Sequence, residues 1–166
     1  FSDAADKEYE LLTKMLHADG HEGELGSYDK AYYITKARRE ASTHDLEKAA
    51  EYFTLESILE GQSAIDEQLL GYKYQEKLDV DDVWHEDVKV FAVIDVDSDE
   101  EIGEIYLDPY PRPGKYSHAA AFPLRSSYIL PDGTRQNAAL AIVSNFSRYG
   151  KMSHTDAEIL RHEWGD

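Results

Sequence analysis

Apolar side chains recur at helical spacing through the first 70 residues of the chain. Between Asp3 and His17 they stand at positions i, i+4, i+7 and i+11, which form one face of a helix: Ala5, Tyr9, Leu12 and Leu16. Gly20 follows and marks the end of that helix. The same periodicity predicts further helices over Tyr28–Glu40, Asp45–Tyr52 and Leu55–Leu70.

The fourth predicted helix, Leu55–Leu70, has the clearest apolar stripe, and Gly71 follows as its stop. Two polar residues, Gln62 and Asp66, lie on the same side as the stripe. They either face a cleft or lie at the rim of the buried surface. We expect the rim, because amphipathic helices often carry polar residues there.

The periodicity changes after this helix from 3.6 residues to two. Val88, Val90, Ala92 and Ile94 alternate with their neighbours, which predicts a strand. The acidic segment Asp95–Glu104 predicts a hairpin, and the three prolines of Asp108–Gly114 exclude a central strand and predict a loop. A mostly apolar strand over Asn137–Phe146 closes the sheet.

This order of elements predicts an α+β fold in a single domain over 1–166. Residues 1–71 form its helical part, 72–147 a small antiparallel sheet and 153–166 a terminal helix. We expect the sheet to pack against Leu55–Leu70, since both present apolar faces that neither buries alone.

The terminal helix carries the candidate chemistry. Its sequence is S-H-T-D-A-E-I-L-R-H-E-W-G-D, in which Ser153 with Asp156, or Thr155 with Glu158, fits a capping box. His162 and Asp166 are four residues apart and share one helix face, with Glu163 beside them. In the zinc-peptidase motif H-E-x-x-H, two imidazoles bind the metal and the Glu is the general base. Taken alone, the H-E-x-x-D pattern also fits an ordinary surface helix.

Charge and cysteine content restrict the partners and the compartment. With 34 acidic against 17 basic side chains, the net charge is −17, which argues against nucleic acid or an anionic membrane and favours cationic peptides. No cysteine is present, and no apolar run reaches membrane-span length. Phe1-Ser2-Asp3 is not a signal peptide, so a cytoplasmic location is expected unless the chain is a processed fragment.

Several stretches match a known family in the same order. They include Glu51–Glu56, Val83–Val88, Ile105–Asp108, Gly114–Tyr116, Leu130–Arg135 and His162-Glu163. In these stretches the chain resembles the thimet oligopeptidase, neurolysin and saccharolysin family of zinc metallopeptidases. The resemblance implies part of a zincin-like catalytic region, a small sheet beside the zinc helix, and oligopeptide substrates along the edge of the sheet.

The resemblance also implies roles for individual residues. Glu163 would be the catalytic base, with His162 and Asp166 as zinc ligands. Gly114–Phe122 is the candidate substrate lining, with Gly114, Tyr116, His118 and Ala119 as its binding residues. An ordinary core strand is the alternative for that segment, since Ala119 to Phe122 would be buried in either case.

Asp166 is the departure from the family pattern, because it stands where the motif has its second imidazole. The resemblance places the third ligand, a Glu, on a helix beyond Asp166. We therefore expect weak or absent zinc binding, and no peptide hydrolysis unless a partner chain supplies the missing catalytic half. Two hypotheses stay open: a truncated or degenerate metalloendopeptidase, and a non-catalytic peptide-binding, storage or structural protein that keeps the scaffold.

Overall fold

The computed structural model describes residues 2–41, 51–78 and 80–166. The chain divides into two compact units, Phe1–Lys48 and Ala49–Asp166. In the first unit, helices α1 (Ser2–Ala18) and α2 (Lys30–Ala41) pack around a small apolar core. Gly20 has a φ of +86°, a left-handed conformation that suits glycine and follows the end of α1. Both helices are confirmed, although α2 begins two residues later than predicted.

The third predicted helix lies mostly outside the described residues, since Asp45 to Ala50 fall in the gap. Glu51 and Tyr52, which are described, form a turn. The prediction of a single domain over 1–166 stays a prediction.

The second unit begins with helix α3 (Leu55–Leu70), at the predicted position. Thr54 and Ser57 form a reciprocal capping box at its start. Gly71 ends the helix in the left-handed conformation, with φ +72°.

A five-stranded sheet with the order β1-β2-β3-β7-β4 follows. Its strands are β1 (Tyr72–Lys77), β2 (Lys89–Asp95), β3 (Glu101–Asp108), β4 (Ala120–Arg125) and β7 (Ala138–Val143). Strands β5 (Tyr128–Ile129) and β6 (Arg135–Gln136) form a separate hairpin. The chain ends in helix α4 (His154–Gly165). The predicted hairpin between Val93 and Ile105 and the proline-rich loop after Asp108 are both present.

The α+β class is confirmed, but the sheet is mixed rather than wholly antiparallel. Strands β3 and β7 pair in parallel, from Gly103 with Ala138 to Asp108 with Val143, whereas the other three pairings are antiparallel. The prediction failed here because chain order suggests neighbours joined by hairpins, whereas β4 turns back antiparallel along the outer side of β7. The long connection between β3 and β7 makes the parallel pairing feasible.

The core lies between the sheet, α3 and α4, as expected. Leu107 and Ile142, which face each other in the parallel pair, are fully buried. Around them pack Leu55, Phe91, Ile105, Phe146, Met152, Leu160 and Trp164. This core attaches the terminal helix to the sheet, because Leu160 and Trp164 belong to α4.

Candidate functional site

Helix α4 is fixed at its start and along one face. Ser153 and Asp156 form the predicted capping box, in which each side chain accepts a hydrogen bond from the other residue's backbone N–H. Near the other end, the indole of Trp164 packs edge-on against the rings of Tyr74 and Phe91, with centroid distances of 5.1 and 5.8 Å. These contacts determine which way the rest of the helix faces.

The three motif residues lie where helical spacing predicts. His162 and Asp166 share one face, and His162 Nε2 is 3.7 Å from Asp166 Oδ2. Their side chains are 73% and 57% exposed, whereas Glu163 is half-buried. One imidazole and one carboxylate therefore approach each other at the surface of the helix, with a second carboxylate alongside.

Zinc chemistry provides a test of this arrangement. Imidazole nitrogen and carboxylate oxygen are both ordinary zinc donors, so the His162 and Asp166 atoms suit the metal. A catalytic zinc site takes three protein ligands, however. Among residues 2–41, 51–78 and 80–166, no group of three His, Cys, Asp or Glu side chains is placed to hold a metal ion. The described residues fit part of a zinc site and do not complete one.

The predicted substrate lining precedes and includes the start of β4, which is the outermost strand at its end of the sheet. Gly114 has a φ of +80° in the exposed loop. Tyr116 is exposed, and its ring centroid lies 5.8 Å from that of His118 and 5.9 Å from that of Phe122. Ala119 is half-buried just before the strand. The segment is therefore a surface loop leading into an edge strand, not a central core strand.

The loop is also held from the β7 side. The Asn145 amide donates hydrogen bonds to the carbonyl oxygens of Tyr116 and His118, at 3.0 and 3.4 Å. Helix α4 contacts β4 as well. The structure therefore brings together two of the predicted parts, the motif helix and the edge strand, in the second unit.

Sequence reasoning missed a buried polar cluster around Asp108, at the end of β3. The Asp108 carboxylate is 1% exposed and accepts two hydrogen bonds from Arg112, both 2.7 Å, and one from the Trp84 indole, 2.9 Å. Burial by itself would raise the pKa of Asp108, but the hydrogen bonds from Arg112, Trp84 and Lys115 outweigh it and hold that pKa at about 2. Asp108 is therefore a charged anchor at neutral pH.

Lys115 is the cationic centre of the same cluster. Its ammonium donates to the Asp108 carboxylate and to the carbonyl oxygens of Asp108, Tyr110 and Ser144, at 2.6 to 2.9 Å. Asp108 ends β3 and Ser144 follows β7, so one ammonium joins the carboxyl ends of the two parallel strands. Burial lowers the pKa of Lys115, and its contact with Asp108 opposes that shift. A Lys within a proline-rich loop was the available sequence signal.

The predicted position of Asp66 at the rim of the buried surface is wrong. Asp66 is buried, not at the rim, and its carboxylate accepts hydrogen bonds from Tyr74 Oη at 2.7 Å and Gln62 Nε2 at 2.8 Å. Burial, and next the bond to Asp66, raise the pKa of Tyr74 well above its ordinary value. The periodicity of α3 could not reveal this, because Tyr74 belongs to the following strand.

Comparison with known proteins decides the family. Residues 1–166 match peptidase family M3. Saccharolysin of Saccharomyces cerevisiae is 37% identical over 175 residues, which cover 96% of this chain and 25% of saccharolysin. The thimet-like oligopeptidase of Dictyostelium discoideum is 33% identical over 93% of this chain and 24% of that protein. The chain belongs to peptidase family M3.

Other M3 relatives are more distant. The human mitochondrial intermediate peptidase is 28% identical over 96% of this chain and 23% of its own length. The chain thus spans about a quarter of the length of the curated relatives it matches. The resemblance stated from the sequence is confirmed at the level of the family. No helix that the structure describes has both the length and the apolar character needed to cross a membrane.

Proposed function

We propose that this M3 chain is a segment of a zinc-dependent oligopeptidase, and that it contributes a peptide-binding strand and part of the metal-binding helix. One observation carries the proposal: the helix that bears His162, Glu163 and Asp166 is anchored in the core and contacts the edge strand β4. A hydrolase needs its proton-transfer groups beside the strand that holds the substrate. Membership of family M3 supports the assignment.

The proposed division of labour follows from side-chain chemistry. His162 and Asp166 would hold zinc, which supplies a Lewis acid when it is bound. Glu163 is adjacent and half-buried, and its carboxylate would accept the proton in hydrolysis. The third ligand would come from a region beyond these described residues or from a partner chain.

The peptide would bind along β4 by main-chain pairing. An edge strand offers unpaired backbone groups, and a peptide that adds there needs little sequence specificity. Phe122 and Leu124 are exposed on β4, and Tyr116 is exposed just before it. Together with Gly114, His118 and Ala119, they would line the substrate, and the net charge of −17 favours cationic oligopeptides.

A non-catalytic peptide-binding protein is the second candidate. The observation that favours it is that the peptide-binding strand is present whereas the set of zinc ligands is incomplete. The edge strand β4 is present and pairs with β7, with one irregularity between Pro123 and Arg125, whereas the described residues supply two zinc donors where three are required. Such a chain would hold peptides without cleaving them.

The test measures three properties of the purified chain: peptide binding, bound zinc after dialysis, and cleavage of a bradykinin-like oligopeptide with and without chelator. We expect peptide binding, substoichiometric zinc and no turnover by the isolated chain. Absence of peptide binding would refute the proposal. Stoichiometric zinc with chelator-sensitive cleavage that is lost in Glu163→Gln, but kept in the control Glu158→Gln on the same helix, would establish a complete enzyme and refute the incomplete site.

A further inference from the structure

A groove of about 470 Å³ lies between α3 and the first two strands of the sheet. Its floor is apolar and largely aromatic, formed by Leu55, Leu59, Tyr74, Phe91 and Trp164. Strands β1 and β4 lie at opposite ends of the sheet order, so the groove is separate from the proposed peptide-binding edge.

Three carboxylates line the α3 wall of the groove. Glu56, Glu60 and Glu67 stand at i, i+4 and i+11 and therefore share one helix face. All three are exposed, and none makes an ion pair with a basic side chain in the part of the chain that the structure describes. Like charges one turn apart on a helix repel each other. The native contacts leave this repulsion uncompensated.

The opposite wall does not neutralise them. Lys89 lines the groove, but its ammonium is already 2.9 Å from the carboxylate of Glu76. An apolar floor and a wall of free negative charge thus occur in one concavity.

We propose that this groove is a second binding site, for a cationic peptide segment that inserts one aliphatic or aromatic side chain. The floor accepts the apolar side chain, because burying it removes apolar surface from water. Arginine or lysine side chains on either side of that anchor would meet Glu56, Glu60 and Glu67 and relieve their repulsion. An anionic ligand would be repelled, and a purely apolar one would leave the three charges beside a dehydrated surface. The site goes beyond the proposed peptidase function, because it lies away from β4 and uses none of His162, Glu163 or Asp166.

Calorimetric titration of the whole chain tests the proposal. The probe is a blocked hexapeptide with three arginines and one leucine. Two altered probes carry serine in place of the leucine, or glutamine in place of the arginines. The protein variant is the triple substitution Glu56→Gln, Glu60→Gln and Glu67→Gln, which keeps side-chain shape and changes only exposed groups. The matched control removes the same number of charges elsewhere in the second unit, with Glu86→Gln, Asp97→Asn and Glu100→Gln.

We expect the groove triple variant to bind the probe about tenfold more weakly, and the control triple to stay within about twofold, because contact ion pairs matter more than distant charge. Both altered probes should also bind more weakly. Equal weakening in the two triple variants would overturn the proposal, since it would indicate general attraction to an acidic chain. An absence of binding heat would overturn it as well.

Fluorescence gives an independent location for the bound peptide. In a Trp84→Phe variant, Trp164 is the remaining tryptophan. Its emission should shift on addition of the cationic probe and stay unchanged with a neutral peptide of the same length, which would bind at β4 through its main chain. A shift with the neutral peptide alone would overturn the groove and leave the edge-strand proposal standing. Binding of the neutral peptide is measured separately, so failure of either site is distinguishable.

Discussion

Two side-chain pairs in the second unit, Asp108 with Lys115 and His162 with Asp166, differ sharply in how they are built. The Asp108 carboxylate and the Lys115 ammonium are 1% and 4% exposed, and further hydrogen bonds satisfy both groups. His162 and Asp166 are 73% and 57% exposed and 3.7 Å apart. Burial makes the first pair a determinant of loop structure, whereas exposure leaves the second free to meet an incoming ligand. The motif residues of α4 and the buried ion pair of the second unit therefore lie at different positions in the structure.

The largest expected effect is on the buried pair. Lys115→Met should lower the free energy of unfolding by about 3–5 kcal/mol, because it leaves a buried carboxylate and three carbonyls short of a donor. Urea denaturation followed by circular dichroism measures this. The matched control is Lys73→Met, which removes an exposed pair with Asp99 and should cost less than about 1 kcal/mol. Equal losses of stability in Lys115→Met and Lys73→Met would show that burial does not distinguish the two ion pairs.

The next effect is a dependence of stability on pH. Asp108 has a folded pKa of about 2, below an unfolded value of about 3.9, so its contribution is complete above about pH 4 and is lost as pH falls through about 2. That contribution is about 2–3 kcal/mol. The difference in free energy of unfolding between the unaltered chain and Asp108→Asn should therefore decrease by this amount when the pH is lowered from 6 to below about 2. A difference that stays constant down to pH 2.5 would contradict the assignment of the low pKa.

The smallest effect on stability is expected at the exposed pair. Asp166→His should change the free energy of unfolding by no more than about 0.5 kcal/mol, since exposed i,i+4 pairs contribute little. It should nevertheless raise zinc affinity, because two imidazoles would then face one point from successive turns. Competition with a chromophoric chelator measures this. Asp166→Asn is the control and should bind zinc no better than the unaltered chain, and unchanged affinity in Asp166→His would mean that the last turn does not hold the two side chains together.

Local pattern predicted what depends on local sequence. The periodicity and caps placed α3 and α4, and the spacing of His162 and Asp166 placed both on one face. Alternation and turn residues gave the β2–β3 hairpin. Each of these features is determined by residues close together in the chain.

Features that depend on distant partners were missed. Asp66 is buried because Tyr74, on another element, donates to it, and no helical periodicity contains that information. Lys115 has a structural role because β7 brings the Ser144 carbonyl to it from 29 residues away. The parallel pairing of β3 with β7 escaped prediction for the same reason, since alternation indicates a strand without indicating its neighbour.

That parallel pairing also has a consequence for how the chain folds. Strands β2 and β3 are joined by a short hairpin connection and can pair early, whereas β7 pairs with β3 at a constant separation of 35 residues. The entropy of closing that loop is lost before Leu107 and Ile142 gain their contacts, which makes docking of β7 a slow step. Until it occurs, the apolar edge of β3 is open to other chains. At high concentration, aggregation therefore competes with folding at the strand pair that forms the centre of the native core.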